Sequence, residues 1–323
     1  MFVISLDFEV MWGVIDNSTP QGYGRTNVAH VPQVLDRVLD LFDKYEIHAT
    51  IAPVGLLMHI DKQEAMRNIP ATAPSYEQTN LSPYNNGYIN AIEVENEHLY
   101  FVPQLIEKLK SYPNIELGTH TYCHYYCTAA GQTVEQFDAD LERAVAISRA
   151  HGFTPTSIIF PRNEVNRDYL AVCSKHGIKV YRGNAKKFFN PVSGRWATLW
   201  QRVCRLLDSY VNIGGYSTFA LDEIKTDNGV INVPASRFLR PYSQRLSLLE
   251  SLRLRRIKRE MTHAAKHGEL YHLWWHPHNF GANVDENCKF LEEVLRHFAS
   301  CRDKYGMRSL TMGEAGREIQ TTN

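Results

Sequence analysis

No apolar run in this 323-residue chain approaches the roughly 20 residues that a membrane-crossing helix needs. The opening MFVISLDFEV lacks the basic start and long apolar stretch of a secretory signal and turns acidic by Asp7. Cysteine is scarce: six residues, at 123, 127, 173, 204, 288 and 301, contain no CxxC pair. That excludes a disulfide-stapled miniprotein and fits a reduced, cytoplasmic setting. Neither sign of charge is in excess, with 35 Lys+Arg against 35 Asp+Glu. A general nucleic-acid binder would show surplus base, so no nucleic-acid partner is expected. Internal repeats and low-complexity tracts are absent too. What is present has globular proportions and enough length for one large α/β barrel or two medium domains.

Eight strand-like runs punctuate the chain, at 2–6, 47–52, 115–117, 157–160, 178–181, 230–233, 270–274 and 309–311. Helical spacing separates most of them: Val34, Leu35, Val38, Leu39 and Phe42 within 31–45, a capped segment at 134–150 with Thr133 and Gln136 as its capping box, and another over about 285–298. Such alternation implies a parallel sheet flanked by helices, with a (β/α) barrel first and an open doubly wound sheet second. Residues 61–97, with a turn signal at Asn85-Asn86-Gly87, and 183–229, with Asn190-Pro191, read as loop insertions in one domain spanning 1–323.

Chemistry-bearing residues cluster where strands end. His120 and His124, in ELGTHTYCH, can face one ion from a helical turn or a tight loop. A structural zinc site adding Cys123 and Cys127 is less favoured, because four ligands within eight residues would organise little of the fold. Asp7 and Glu9 flank Phe8 at the end of the first strand, where alternation puts both carboxylates on one face. Carboxylates after so apolar a run are costly unless paired or metal-bound. Arg162, in FPRNE, offers a bidentate partner for a carboxylate. His276 and His278 close LWWHPHNFG, beside Trp274 and Trp275. Each feature alone has a bland reading. Asp7, His120, Arg162 and His276, however, all fall at strand C-terminal ends, which in a parallel barrel converge on one rim. The pair His263 and His267 reads instead as the last turns of a basic helix before Gly268.

The order of these motifs resembles the polysaccharide deacetylases of the NodB-homology type, carbohydrate esterase family 4, over about residues 2–315. The resemblance implies a distorted (β/α) barrel and a divalent ion, zinc first, with cobalt, nickel or manganese as other candidates. It implies His120 and His124 as ligands, Asp7 as general base, Arg162 as the arginine orienting it, and His276 as general acid. Phe8 stands where the family's second aspartate is usual; some members space the two carboxylates by one residue, and that resemblance gives the third ligand to Glu9 while leaving open which of Asp7 and Glu9 touches the ion. Tyr122, Trp274, Trp275 and His278 would line the substrate site. The implied reaction is removal of an N-acetyl or N-formyl group from an amino-sugar intermediate, free or linked to a nucleotide or lipid phosphate. A hydrolase of a linear or cyclic non-sugar amide, and an inactive glycan-binding barrel, are the alternatives.

The zero net charge hides a local excess. Segment 237–259 holds eight bases and one acid. Leu246, Leu254, Ile257 and Met261 share one helical face, with Arg255, Lys258 and Arg259 roughly opposite. A solvated outer helix is one reading. The other is an anion contact at Arg255, Lys258 and Arg259, or peripheral membrane contact through 237–259.

Overall fold

The computed structural model describes residues 1–84, 87–184, 187 and 198–322. Asn85, Asn86, Asn190 and Pro191, read above as turn and loop markers, lie outside them. In chain order the regular elements are β1 (Phe2–Phe8), α1 (Val31–Tyr45), β2 (Ala49–Pro53), α2 (Lys62–Arg67), α3 (Pro103–Lys110), β3 (Ile115–Leu117), α4 (Val134–Ala150), β4 (Ser157–Ile158), α5 (Leu170–Lys175) and β5 (Val180–Tyr181). They continue with α6 (Leu199–Asp208), β6 (Thr226–Asp227), β7 (Val230–Asn232), β8 (Arg237–Phe238), α7 (Glu250–His267), β9 (Tyr271–Trp275), α8 (Val284–Tyr305), β10 (Ser309–Leu310) and α9 (Met312–Thr322).

Every residue of β1 is buried. A parallel strand covered on both faces reads as a nearly continuous apolar run, which is the pattern of FVISL. β1 lies between β2 and β9, with Leu6 opposite both Ile51 and Trp275. The parallel order is β3-β2-β1-β9-β8, and β10 pairs with the first residues of β1. A second sheet runs β4-β5-β7 in parallel, with β6 antiparallel at its edge. Two seams join the sheets. Ile159 N–H donates to the Thr119 carbonyl and Thr119 N–H to that of Ser157, both at 2.9 Å, carrying β3 onto β4. At the other seam, β7 pairs with β5 and the same chain, five residues on, pairs with β9 as β8. The two sheets, mainly parallel and covered by helices, make a distorted α/β fold of the barrel type.

Helices cover the outside. α1 buries Val34, Leu35, Val38, Leu39 and Phe42 as its spacing requires, and α4 carries the Thr133–Gln136 capping box. Within 61–97, Leu81, Ile89 and Ile92 are buried, so this stretch packs onto the core. The described part of 183–229 contains α6, opened by a Thr198–Gln201 capping box, where the sequence reading expected an irregular loop. Leu246 falls in a 3₁₀ turn before α7 with φ of −115°, off the face formed by Ile257 and Met261.

Much of the basic segment turns inward. Arg237, Arg253 and Arg256 are buried. Glu260, fully buried, accepts from Arg237 Nε at 2.8 Å and lies 3.5 Å from Arg256, and Asp208 meets Arg237 at 3.2 Å. Lys258 pairs with Glu293, whereas Arg255 and Arg259 are exposed.

Candidate active site at the barrel rim

β1 delivers Asp7 and Glu9 to the ends of the parallel strands. Glu9 sits just past the strand, where the chain turns sharply: Val10 has φ of 45°, costly for a β-branched residue. Gly13 makes room for the Glu9 carboxylate, since a Cβ there would lie 2.0 Å from Glu9 Cδ.

The two histidines ride on a tight loop, not a helix. Thr121 and His124 have φ of 66° and 59°, and the loop is held from below by Asp140 of α4. Tyr122 N–H donates to Asp140 Oδ2 at 2.7 Å and Cys123 N–H to Oδ1 at 3.1 Å. Burial pushes the Asp140 carboxyl up to about 6 despite these bonds. Five of the seven non-glycine residues with positive φ among the described residues, Val10, Thr121, His124, Arg162 and Asn163, belong to the loops around this site. Backbone strain is concentrated where side chains must converge.

Glu9 is the centre of the cluster. Its Oε2 lies 3.0 Å from His124 Nε2 and 3.2 Å from His120 Nε2. Its Oε1 lies 3.4 Å from His276 Nε2 and 3.7 Å from His278 Nε2. The triads Glu9–His120–His124 and Glu9–His276–His278 each have the span to hold an ion. The first fits a divalent ion on donor chemistry: two imidazoles and one carboxylate, all buried. His120 Nε2, buried 3.2 Å from a Glu9 oxygen, has no hydrogen-bond partner among the described residues, the kind of orphaned buried donor atom that a ligated ion would satisfy. Burial pushes the Glu9 carboxyl up, but the imidazoles around it prevail and hold it well below the usual carboxylate range. Burial also lowers His124, favouring the neutral imidazole that ligation needs.

Asp7 faces elsewhere. Both its oxygens are taken by Arg182, Nη1 to Oδ1 at 2.6 Å and Nη2 to Oδ2 at 2.7 Å. The role expected of Arg162 is therefore filled by Arg182, fully buried one residue past β5. Arg162 instead pairs with Asp16 at 2.5 Å and lies over the Tyr126 ring. Its neighbour Asn163 serves the carboxylate indirectly, accepting from Arg182 Nε at 2.8 Å and Nη2 at 2.6 Å. The Trp274 ring covers the guanidinium at 4.3 Å. Burial raises the Asp7 carboxyl, yet Arg182 and the nearby imidazoles outweigh it and keep it below its ordinary value.

His276 stands at the open side, its side chain 21% exposed, with Nε2 3.6 Å from Asp7 Oδ2. Its Nδ1 meets Asn279 Oδ1 at 3.0 Å, and Asn279 is oriented by donating Nδ2–H to the Tyr23 hydroxyl. Nε2 is thus the nitrogen turned to the site.

Three residues expected to line the substrate are buried in the structure. Tyr122 is fully buried with its hydroxyl on His59 Nε2 at 2.8 Å, and Trp275 is fully buried, stacked on Phe280. His278 is buried behind Glu9 and pushed down to about 3 by burial. Trp274, partly exposed, is left at the rim. Cys123 and Cys127 belong to neither triad. Both are buried, and the Cys127 thiol donates to the Glu164 carbonyl.

The site is a cluster of buried carboxylates and imidazoles at the ends of parallel strands in an α/β fold, and the sequence supplies the family. The polysaccharide deacetylase family model matches residues 16–181, and the chain belongs to that family. The match includes His120 and His124, while Asp7, Glu9, Arg182 and His276 lie outside it. No curated protein matches the chain in sequence. Among solved structures, it is similar to a Mycobacterium smegmatis protein assigned as a polysaccharide deacetylase, at 12% identity and a TM-score of 0.61, covering 99% of this chain and 90% of that one. It is similar to Puue allantoinase at 11% identity and 0.54, covering 100% and 90%. A GH57-type branching enzyme from Pyrococcus horikoshii aligns at 12% identity and 0.50, covering 97% and 69%. At these identities the likeness speaks for the fold.

Proposed function

We propose that the chain, as one unit spanning 1–323, is a divalent-metal-dependent hydrolase that removes an N-acetyl or N-formyl group from an amino sugar. The observation that carries this reading is the division of labour between two carboxylates two residues apart. Glu9 shares one oxygen between His120 and His124, and Asp7 is locked ionised on Arg182. Glu9, His120 and His124 would hold the ion, zinc by donor type. When bound, it supplies Lewis acidity toward an acyl oxygen and acidifies water.

The remaining steps fall to the chain's own residues. Asp7, fixed in direction and charge, accepts the proton of the attacking water. His276, its Nδ1 tied to Asn279, donates from Nε2 to the departing amine. Each proton transfer contributes a factor of about 10²–10⁴. Trp274 offers a face for a sugar ring. The sugar is a biosynthetic intermediate on a nucleotide or lipid phosphate in the cytoplasm, a compartment in keeping with six free, buried cysteines.

Metal analysis of purified protein and a panel of N-acetylated and N-formylated amino sugars test the assignment. About one divalent ion per chain is expected, lost in His120→Gln. His276→Gln should keep the ion and lose at least about 10²-fold in kcat. Protein that binds no divalent ion and hydrolyses none of the panel sinks the reading.

A further inference from the structure

Helix α6 is amphipathic with its apolar face to solvent. Leu199, Trp200, Val203 and Leu207 are 79%, 68%, 40% and 49% exposed, and the residues it buries are Cys204 and Asp208. At 100° per residue the four exposed side chains fall within one arc of roughly 100°. Val211 and Ile213, 56% and 42% exposed, follow α6, and Leu248 and Leu252, 93% and 41% exposed, stand in the turn before α7 and in its first turn. The two parts are pinned together: Arg240 donates to Ser209 Oγ, and Arg256 to Asn212 Oδ1 and the Gly215 carbonyl. So many large apolar side chains on one surface mark an interaction site.

Charge says what kind. Residues 198–216 and 240–259 hold nine bases and two acids, Asp208 and Glu250. Both acids are tied to arginines, Asp208 to Arg237 and Glu250 to Arg253. Arg202, Arg205, Arg245, Arg255 and Arg259 are exposed and make no ion pair among the described residues. A second copy docked through this surface would set arginine against arginine, since a two-fold interface apposes the same patch to itself. A leaflet of anionic lipid instead meets both demands, accepting Leu and Trp side chains at the acyl boundary and surrounding them with phosphates.

We infer that α6, with Leu248 and Leu252, is a docking surface for an anionic phospholipid bilayer. This goes beyond the hydrolase reading and does not depend on it. The surface flanks the catalytic rim: Arg240 lies two residues past Phe238, whose ring is 5.9 Å from that of His276. Docking would hold the mouth of the barrel near the membrane plane.

Co-sedimentation of the whole protein with vesicles tests this, comparing pure phosphatidylcholine with about one third phosphatidylglycerol. Binding should be at least about ten-fold stronger to the anionic vesicles and weaken with salt. Trp200→Ser with Leu248→Ser, and separately Arg202→Glu with Arg205→Glu, should each lose about ten-fold in binding while the unfolding midpoint stays unchanged. Absence of binding to anionic vesicles overturns the inference, as does binding that neither pair of substitutions weakens. A concentration-dependent dimer abolished by Trp200→Ser would assign the surface to a second copy and overturn it equally.

Discussion

Arg182 grips Asp7 with two parallel N–H···O bonds while a third donor position, Nε, is spent on Asn163. This fork geometry is available to arginine and not to lysine. Arg182→Lys should keep the protein folded and metal-loaded but lower kcat at least about ten-fold with little change in KM, since a point charge no longer fixes the carboxylate plane. Arg182→Met should be far worse for the fold, about 3–5 kcal/mol in urea unfolding, because it leaves Asp7 buried and unpaired. Arg182 obeys the same positional rule that singled out Asp7 and His276, at or just past a strand's C-terminal end. A solitary arginine after Val-Tyr carries no motif, whereas FPRNE does, and the sequence reading gave the role to Arg162. The aromatic residues show a similar limit. Adjacent strand residues point to opposite faces, so one of Trp274 and Trp275 had to face the core, and composition does not say which.

At the scale of elements, strong periodicity translated directly. α1 and α4 have the predicted bounds, and the strand runs sit within two or three residues of those observed. Short elements were missed, β8 being two residues long, and α6, legible from its Thr198–Gln201 capping box and apolar period, was passed over because the stretch around it reads as a loop. The excess of base in 237–259 looked like a surface property, yet Arg237, Arg253 and Arg256 are inside, Arg237 and Arg256 matched by Asp208 of α6 and Glu260 later in α7, and Arg253 by Glu250 at the start of α7. Charge summed along a chain does not report burial. The histidine loop was legible as a ligand spacing but not as a strained turn, because its support comes from Asp140, sixteen residues beyond His124. Asp140→Ala would orphan the buried N–H groups of Tyr122 and Cys123, at about 1–3 kcal/mol each. The unfolding midpoint should fall accordingly, and divalent-ion affinity should drop at least about ten-fold. An unchanged midpoint and affinity would mean that the loop holds its own shape.

Across the whole molecule, a polar chain runs through the barrel interior under the site. Arg182 Nη1 donates to Ser5 Oγ at 2.9 Å, and Ser5 Oγ lies 2.8 Å from His272 Nε2. His272 Nδ1 meets the Val233 carbonyl at 3.2 Å. The order assigns a neutral His272 with its proton on Nδ1, Ser5 donating to Nε2. Burial, and then the Arg182 charge, push its pKa down from 6.5 to about 3. Between those values the unfolded chain binds a proton that the folded one refuses. Stability from this group is complete above about pH 6.5 and is lost as pH falls toward 3, by about 1.4 kcal/mol per unit. Urea midpoints of chelator-treated protein should decline from pH 6.5 to 5, and His272→Gln should remove about that much of the slope. A slope identical in the variant would place the acid sensitivity elsewhere.

The position of β1 between β2 and β9 also bears on how the chain is made. Its second neighbour is complete only at residue 275, so a growing polypeptide carries the Phe2–Leu6 edge uncovered through most of its synthesis. At about 5–20 residues per second, that wait is on the order of 10–50 s. An apolar strand edge open for so long invites wrong partners. The nascent chain is therefore expected to need shielding until β9 is made, and faster expression should raise the aggregated fraction, read as the share of protein in the insoluble pellet.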